Sequence, residues 1–208
     1  YASQEPRWLV HYCATLTGID RHPQIDEVVD NYRKGLADFH QMVADMAGIK
    51  RKEAKTVNLG IMYGMGKGKL ANVMDIEVEE ASKLINTYNE RVPFLKALSE
   101  KAMNRAKDHG VIRTWLGRKC RFDMYEPVSF GFNKALPMKE AIAEYGSIGR
   151  IRRAYTYKAL NRLIQGSSAD QTKKAMVECY KEGLCPTLTV HDELCFNIEN
   201  QKQADKIV

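Results

Sequence analysis

The sequence lacks the features that mark disulfide-rich, zinc-binding and membrane proteins. Its 208 residues include five cysteines, but these form no C-x-x-C pair and have no histidine at zinc-ligand spacing. An unpatterned set of thiols is typical of a reducing cytoplasm. No apolar run approaches the about 18 residues of a membrane-spanning helix. We therefore expect a cytoplasmic protein without a membrane partner.

Glycine and proline, which interrupt helices and strands, are also sparse: the chain has 14 glycines and 6 prolines. It has no repeat, low-complexity tract or flexible linker. The glycine-rich stretch 64–69 lacks the G-x-x-x-x-G-K-[ST] order, so a P-loop is excluded, and its glycines are expected to end one helix and open the next turn. Apolar spacing predicts helices near 24–47, 51–63, 77–91, 93–108, 137–146 and 157–181 and a hairpin over 186–198. This pattern predicts a mostly helical α+β fold.

The chain is basic, with a formal net charge of +6 at pH 7 and a pI near 9.0. This balance suits a polyanionic partner, although such a charge spread over a whole surface decides little. A local concentration of cations interleaved with tyrosines is more informative. It comprises Arg150, Arg152, Arg153, Lys158 and Arg162 with Tyr155 and Tyr157. The mixture predicts a nucleic-acid face, and a solvated helix flank is the alternative.

One predicted helix combines two cations with an aromatic residue. In the segment RKEAKTVNLGIMYG, the side chains of Arg51, Lys55, Leu59 and Tyr63 follow at intervals of four and so share one side of a helix. Both cations lie toward the N-terminal end, where the helix dipole and unpaired N–H groups favour anions. The spacing therefore suits a nucleoside triphosphate. An amphipathic surface helix with solvated cations is the alternative.

The segment TLTVHDELCFNI alternates apolar and polar residues on both sides of His191, Asp192 and Glu193, which predicts a β-hairpin with these residues at its tip. Mg²⁺ prefers carboxylate and phosphate oxygens, so a rigid aspartate at such a tip suits a metal that also contacts a triphosphate. An ordinary polar turn is the alternative.

Together these motifs resemble the DNA polymerase I family, also called family A. In that family's fingers helix an Arg, a Lys four residues later and a Tyr-Gly eight beyond it contact the incoming nucleotide, and its palm hairpin carries His-Asp-Glu. Further matching segments follow in the family's order: Asp38-Phe39-His40, TWLGR at 114–118 and ALNRLIQG at 159–166. The resemblance covers essentially the whole chain and implies fingers helices with a partial palm.

The resemblance also implies a role for each matching residue. Catalytic roles fall to Asp192, Lys55, Tyr63 and Glu193, and Asp192 is the implied metal ligand. The nucleotide contacts are Glu5, His40, Arg51, Lys55, Leu59 and Tyr63. The primer-template contacts are His191, Gln165, Asn161, Tyr157, Arg7 and Arg118. The implied reaction is attack of a primer 3′-hydroxyl on a deoxynucleoside triphosphate, with two Mg²⁺ ions in the intact parent, by a monomeric enzyme.

Both ends of the chain depart from the family pattern, and at the second end the chain stops shortly after Ile198, where the family's palm continues with further helix and strand. The first residues, YASQEPR, match the family's first palm motif only if its opening aspartate would precede Tyr1. We therefore interpret the chain as an internal piece of a longer polymerase: palm over 1–12, beginning with a short strand, fingers over 13–150 and returning palm over 151–208. Because one of two metal-bridging aspartates is missing, we expect this piece alone to be nearly inactive.

Leu59 stands where the family usually has Phe or Tyr, which suggests a phage-like enzyme with altered handling of nucleotides that lack a 3′-hydroxyl. Two other functions stay open. A single-subunit RNA polymerase shares the Arg, Lys and Tyr-Gly helix, although Glu5 and the His-Asp-Glu segment favour DNA synthesis. A non-catalytic DNA-binding module that keeps a polymerase shell is the second alternative.

Overall fold

The computed structural model describes residues 4–17, 21–62, 64–129, 134–191 and 193–207. Most of these residues lie in helices. In chain order the helices are α1 (Gln4–Ala14), α2 (Gln24–Arg33), α3 (Phe39–Ala47), α4 (Arg51–Met62), α5 (Lys67–Met74), α6 (Val78–Arg91), α7 (Pro93–His109), α8 (Met138–Tyr145), α9 (Ala159–Lys181) and α10 (Gln201–Ile207). No helix in these ranges is both long and apolar enough to cross a membrane.

The strands are short and form small antiparallel sheets. They are β1 (Val111–Arg113), β2 (Lys119–Arg121), β3 (Met124–Pro127), β4 (Leu136–Pro137), β5 (Ile151–Arg153), β6 (Pro186–Val190) and β7 (Glu193–Phe196). Strand β1 pairs with β2, β3 lies between β4 and β5, and β6 pairs with β7 as a hairpin. The described chain is thus the predicted mixture of many helices and little sheet.

The core forms where helices α1, α7 and α9 pack together. Leu9 on α1, Phe94 and Leu95 on α7, and Ile164 on α9 are each at most 1 % exposed. Their removal from water supplies the main stabilisation of the fold, at roughly 1.5–3 kcal/mol for each large apolar side chain. Helix α9 thereby becomes the rigid element from which the polar residues of its other faces project.

Polar contacts also hold the start of the chain against α9. The Gln4 amide donates to the Ser168 carbonyl at 3.1 Å, and the Trp8 indole N–H donates to Gln171 Oε1 at 2.8 Å. The start of the chain and helix α9 therefore contact each other, although they are more than 160 residues apart in sequence. The short strand expected at the start is wrong for residues 4–14, which form α1. Buried Leu9 and Cys13 lie four residues apart, which is the spacing of one helix face.

Two further differences from the sequence prediction have local causes. The predicted helix over 24–47 is divided into α2 and α3, because Gly35 adopts a φ of 70° and Asp38 caps the start of α3. The strands β1 to β5 were not predicted, since runs of two to four residues are too short for apolar alternation to be read. The helices predicted near 51–63, 77–91, 93–108, 137–146 and 157–181 and the hairpin are confirmed.

Candidate functional site

A cleft of about 570 Å³ brings together three segments that are far apart in sequence. Helix α1 contributes Glu5, helix α9 contributes Gln165, and the end of the hairpin contributes His191. Lys173, also on α9, adds a positive charge to the wall. The arrangement offers a carboxylate, an amide, an imidazole and an ammonium group to one ligand. Arg51 and Lys55 are not among the residues that line this cleft.

The hairpin presents His191 in an unusual backbone conformation. Val190 pairs with Glu193, so two residues connect the strands, and His191 has a φ of 51°. Positive φ is typical of such tight connections, where glycine or asparagine is usual. Glu193 is exposed at the first position of β7. Asp192, the predicted catalytic and metal-binding residue, lies outside the described residues.

The N-terminal end of α4 is fixed to α3 by an ion pair. Arg51 approaches Asp38 Oδ2 with Nε at 2.8 Å and Nη2 at 2.7 Å. The same carboxylate caps α3 by accepting from the N–H groups of His40 and Gln41 at 3.0 and 3.1 Å. Burial alone would raise the pKa of Asp38, but these hydrogen bonds and the Arg51 charge outweigh it, so the pKa is lowered. Asp38 therefore remains ionised and orients Arg51.

His40 lies half-buried beside these charges. Its Nδ1 is 3.0 Å from the side-chain nitrogen of Asn58. Burial lowers the pKa of His40, and the Arg51 and Lys55 charges lower it further against the opposing effect of Asp38. The structure thus brings His40, Arg51 and Lys55 into one electrostatic group at the start of α4.

The remaining residues of the α4 stripe differ in their surroundings. Lys55 is exposed, and within the described ranges it has no ion-pair partner. Leu59 is half-buried further along the helix. Tyr63, the predicted aromatic contact, lies outside the described residues.

A second, shallower cleft of about 410 Å³ lies on another side of α9, where Asn161, Gln165 and Arg118 meet. Arg118 is held by two contacts: its Nε donates to Asp170 Oδ1 at 3.0 Å, and its Nη2 donates to the Gly166 carbonyl at 2.8 Å. Gln165 lines both clefts, so this one residue belongs to both sites. The geometry groups three of the predicted DNA contacts.

Two predicted DNA contacts lie apart from these clefts. Arg7 lies over the ring of Tyr32, with 5.3 Å from the guanidinium carbon to the ring centroid. Tyr157 packs against Gly64, which follows α4: a Cβ added to Gly64 would come within 2.9 Å of the Tyr157 ring. Lys158 lies over Tyr157 at 5.6 Å, so the predicted basic and aromatic surface contains a cation-π contact.

Comparison with known proteins identifies the family. The family model described as DNA polymerase family A matches residues 22–207. The chain belongs to DNA polymerase family A. The matched model and the relatives below are DNA polymerases, and they give no support to the RNA polymerase alternative.

The relatives include DNA polymerases of phages and bacteria. A DNA-directed DNA polymerase of Pseudomonas phage M6 is 36% identical over 98% of this chain and 33% of its own length. A DNA polymerase I of Rhizobium leguminosarum is 31% identical over 86% of this chain and 17% of its own length. The chain therefore spans a third or less of these relatives.

A solved structure supports the same fold. The POL domain of Pol1 from M. smegmatis, in complex with DNA primer-template and dNTP, has a TM-score of 0.72. The similarity covers 99% of this chain and 34% of that chain at 24% sequence identity. The mostly helical polymerase architecture is thus confirmed for this chain, whereas the roles of individual residues stay predictions.

Family membership raises the question of a divalent metal. In the described ranges, no group of three or more His, Cys, Asp and Glu side chains is placed to hold a metal ion. Among the described residues that line the first cleft, Glu5 is the carboxylate.

Sequence reasoning missed the buried polar residues that organise this site. Asp170 on α9 is 5 % exposed and accepts from the Thr114 hydroxyl, the Leu116 N–H and Arg118. Asn58 on α4 is fully buried. Its position between Val57 and Leu59, inside an apolar stretch of the helix, was the available signal, because a buried amide needs specific partners. Asp170 offered no such signal among its polar neighbours.

Proposed function

We propose that this chain forms the fingers and part of the palm of a template-directed DNA polymerase, which transfers a nucleotide from a deoxynucleoside triphosphate to a primer 3′-hydroxyl. The observation that carries the proposal is the first cleft. Glu5, Gln165 and His191 come from three separate family motifs, and the fold brings them to one wall. This convergence of three motifs supports one shared site.

The triphosphate binds at the start of α4. Arg51 and Lys55 supply positive charge where the helix dipole already favours an anion, and His40 lies beside them. Arg51 and His40 hold the outer phosphates. Lys55, which is exposed, reaches the α-phosphate and stabilises the charge that develops there during transfer. Leu59 and Tyr63 contact the sugar and base further along the helix.

The primer-template binds along α9. Gln165 and Asn161 present amide donors to the minor groove, where every correct base pair offers acceptors at similar positions. His191 steadies the primer end, while Glu5 opposes a ribose 2′-hydroxyl and so favours deoxynucleotides. Arg118 acts mainly by bracing α9 through Asp170, and Arg7 and Tyr157 add outer contacts.

Magnesium is the proposed cofactor, and Asp192 is its proposed ligand, with Glu193 as an accessory carboxylate. When bound, the metal would supply charge stabilisation to the phosphates. We further propose that the polymerase acts as a monomer in the cytoplasm of a phage-infected or bacterial cell.

The experiment is a binding measurement on the 208-residue chain. A fluorescent primer-template is titrated with protein, and the anisotropy is read with and without the next correct deoxynucleotide. The nucleotide should tighten the complex. Lys55→Ala should weaken the nucleotide effect about tenfold, because a hydrogen bond to a charged group is lost.

Lys83→Ala is the matched control, since Lys83 is an exposed lysine on α6 and its loss changes net charge equally. It should leave nucleotide affinity unchanged. Equal losses of nucleotide affinity in both variants would show that the effect comes from net charge alone. A DNA complex that the nucleotide does not tighten would contradict the proposed function.

A second pair of variants tests the DNA side. Gln165→Ala should weaken primer-template binding, whereas Gln201→Ala, which alters an exposed glutamine on α10, should not. Identical binding by the two variants would exclude the cleft as the DNA interface.

A further inference from the structure

A buried chain of hydrogen bonds connects three helices behind His40. Tyr88 on α6 and Asn58 on α4 are both fully buried. The Tyr88 hydroxyl donates to Asn58 Oδ1, and the Asn58 side-chain nitrogen lies 3.0 Å from His40 Nδ1 on α3. Buried polar groups of this kind are expensive unless they are satisfied, so a specific hydrogen-bond pattern is expected.

The direction of these hydrogen bonds determines where His40 carries its proton. Because Tyr88 donates to the carbonyl oxygen of Asn58, the amide nitrogen must face His40. An amide nitrogen only donates, so Nδ1 must accept, and the ring proton is then on Nε2. Turning the amide over would set its N–H₂ group against the Tyr88 hydroxyl and leave the hydroxyl proton without this acceptor in a fully buried position.

We propose that Tyr88 and Asn58 are positioning residues, which hold His40 as the neutral tautomer with its proton on Nε2. His40 then offers the outer phosphates a fixed hydrogen-bond donor, while Arg51 and Lys55 supply the charge. The inference rests on the proposed triphosphate site. It extends that site to two residues that contact neither nucleotide nor DNA.

The surroundings of His40 favour the same neutral state. A protonated imidazole would carry an N–H on Nδ1 that points at the N–H₂ group of Asn58, so two donors would face each other. The charged groups near the ring are Asp38 beside it and Arg51 and Lys55 on α4. The two cations oppose a third positive charge, and Asp38 is already paired with Arg51.

The test is nitrogen NMR on the full chain with labelled histidine, because the two ring nitrogens have different shifts in each tautomer. The native protein at pH 7 should show His40 with its proton on Nε2. Tyr88→Phe removes only the hydroxyl, frees the amide to turn over and should give a mixture of tautomers. Tyr180→Phe, on an exposed tyrosine of α9, should leave the native signal unchanged.

Nucleotide affinity supplies the second readout. Tyr88→Phe should weaken binding of the correct deoxynucleotide about threefold to tenfold, the range for one displaced hydrogen bond, with little change in duplex affinity. The spectrum of the native chain alone would overturn the inference if it showed His40 protonated on both ring nitrogens, or neutral with its proton on Nδ1. An unchanged tautomer in folded Tyr88→Phe would overturn it as well.

The same measurements separate this inference from the proposed function. If His40→Ala binds nucleotide as tightly as the native chain while the native tautomer is as expected, the phosphate contact of His40 is refuted and the hydrogen-bonded chain is purely structural. If instead the tautomer is wrong while Lys55→Ala still weakens nucleotide binding, the proposed function stands and the positioning role falls.

Discussion

Replacing Asp170 by Asn tests the polar junction that braces α9. The carboxylate accepts through Oδ2 from the Thr114 hydroxyl and the Leu116 N–H, and through Oδ1 from Arg118. An amide keeps one oxygen, so its N–H₂ group must face either the first two donors or the guanidinium. The Arg118 side chain is 47% exposed and can turn to water, so the oxygen should stay with Thr114 and Leu116.

The loss is therefore one charge-assisted hydrogen bond to a partly solvated partner. It corresponds to about 1.5–3 kcal/mol in the free energy of unfolding at pH 7. Urea denaturation followed by circular dichroism measures this difference directly. Asp45→Asn, on an exposed carboxylate of α3, is the control and should change stability by less than about 0.5 kcal/mol.

The pH dependence gives a sharper test of the same contact. Burial alone would raise the pKa of Asp170, but the hydrogen bonds from Thr114, Arg118 and Leu116 outweigh it, so the pKa is lowered in the folded chain. Its contribution is present above the unfolded-state pKa of about 3.9 and is lost as the pH falls through the lower folded-state value. The gap between native and Asp170→Asn chains should hold from pH 7 to about pH 5 and narrow below about pH 4. Equal stability at pH 7, or a gap that widens in acid, would refute this account.

Three further outcomes are expected. Gly166→Ala should lower the free energy of unfolding by about 1–3 kcal/mol in urea titrations, because the added Cβ would come within 2.5 Å of Thr114 Cγ2. Unchanged stability would show that the segment around Thr114 moves aside without cost. Cys13, whose thiol pKa burial raises, should resist iodoacetamide in the native chain while exposed Cys185 reacts, and mass mapping that finds Cys13 labelled first would contradict the packing. Leu59→Phe in the intact parent should change dideoxynucleotide selectivity in primer extension, and equal selectivity would refute a sugar contact.

The sequence was most informative where a pattern repeats over many residues. Helices α4, α6, α7 and α9 were predicted within a few residues, since apolar spacing persists over several turns in each. The hairpin was predicted because alternation continues on both sides of a polar tip. By contrast, α1 was expected to begin as a strand on resemblance alone, although Leu9 and Cys13 already had helical spacing.

The sequence suggests the charged surface groups of the candidate site, but it does not indicate the buried residues that hold them in place. Arg51 and Lys55 stand out because their spacing suits phosphate. Asp170, Asn58 and Tyr88 act through contacts with residues 18 to 56 positions away, and no local pattern encodes such distances. A polar side chain that the helical pattern predicts to be exposed can therefore be buried and can hold the residues of the site in position.

The left-handed backbone of His191 has a consequence for the hairpin itself. A side chain at a φ of 51° is disfavoured relative to glycine by about 1 kcal/mol, so the tip keeps an imidazole at a conformational cost. Glycine at this place would remove that conformational cost, but the cleft would lose its imidazole. The stability of the hairpin and the position of the imidazole thus make opposite demands on one residue: selection for a more stable hairpin would be selection against His191.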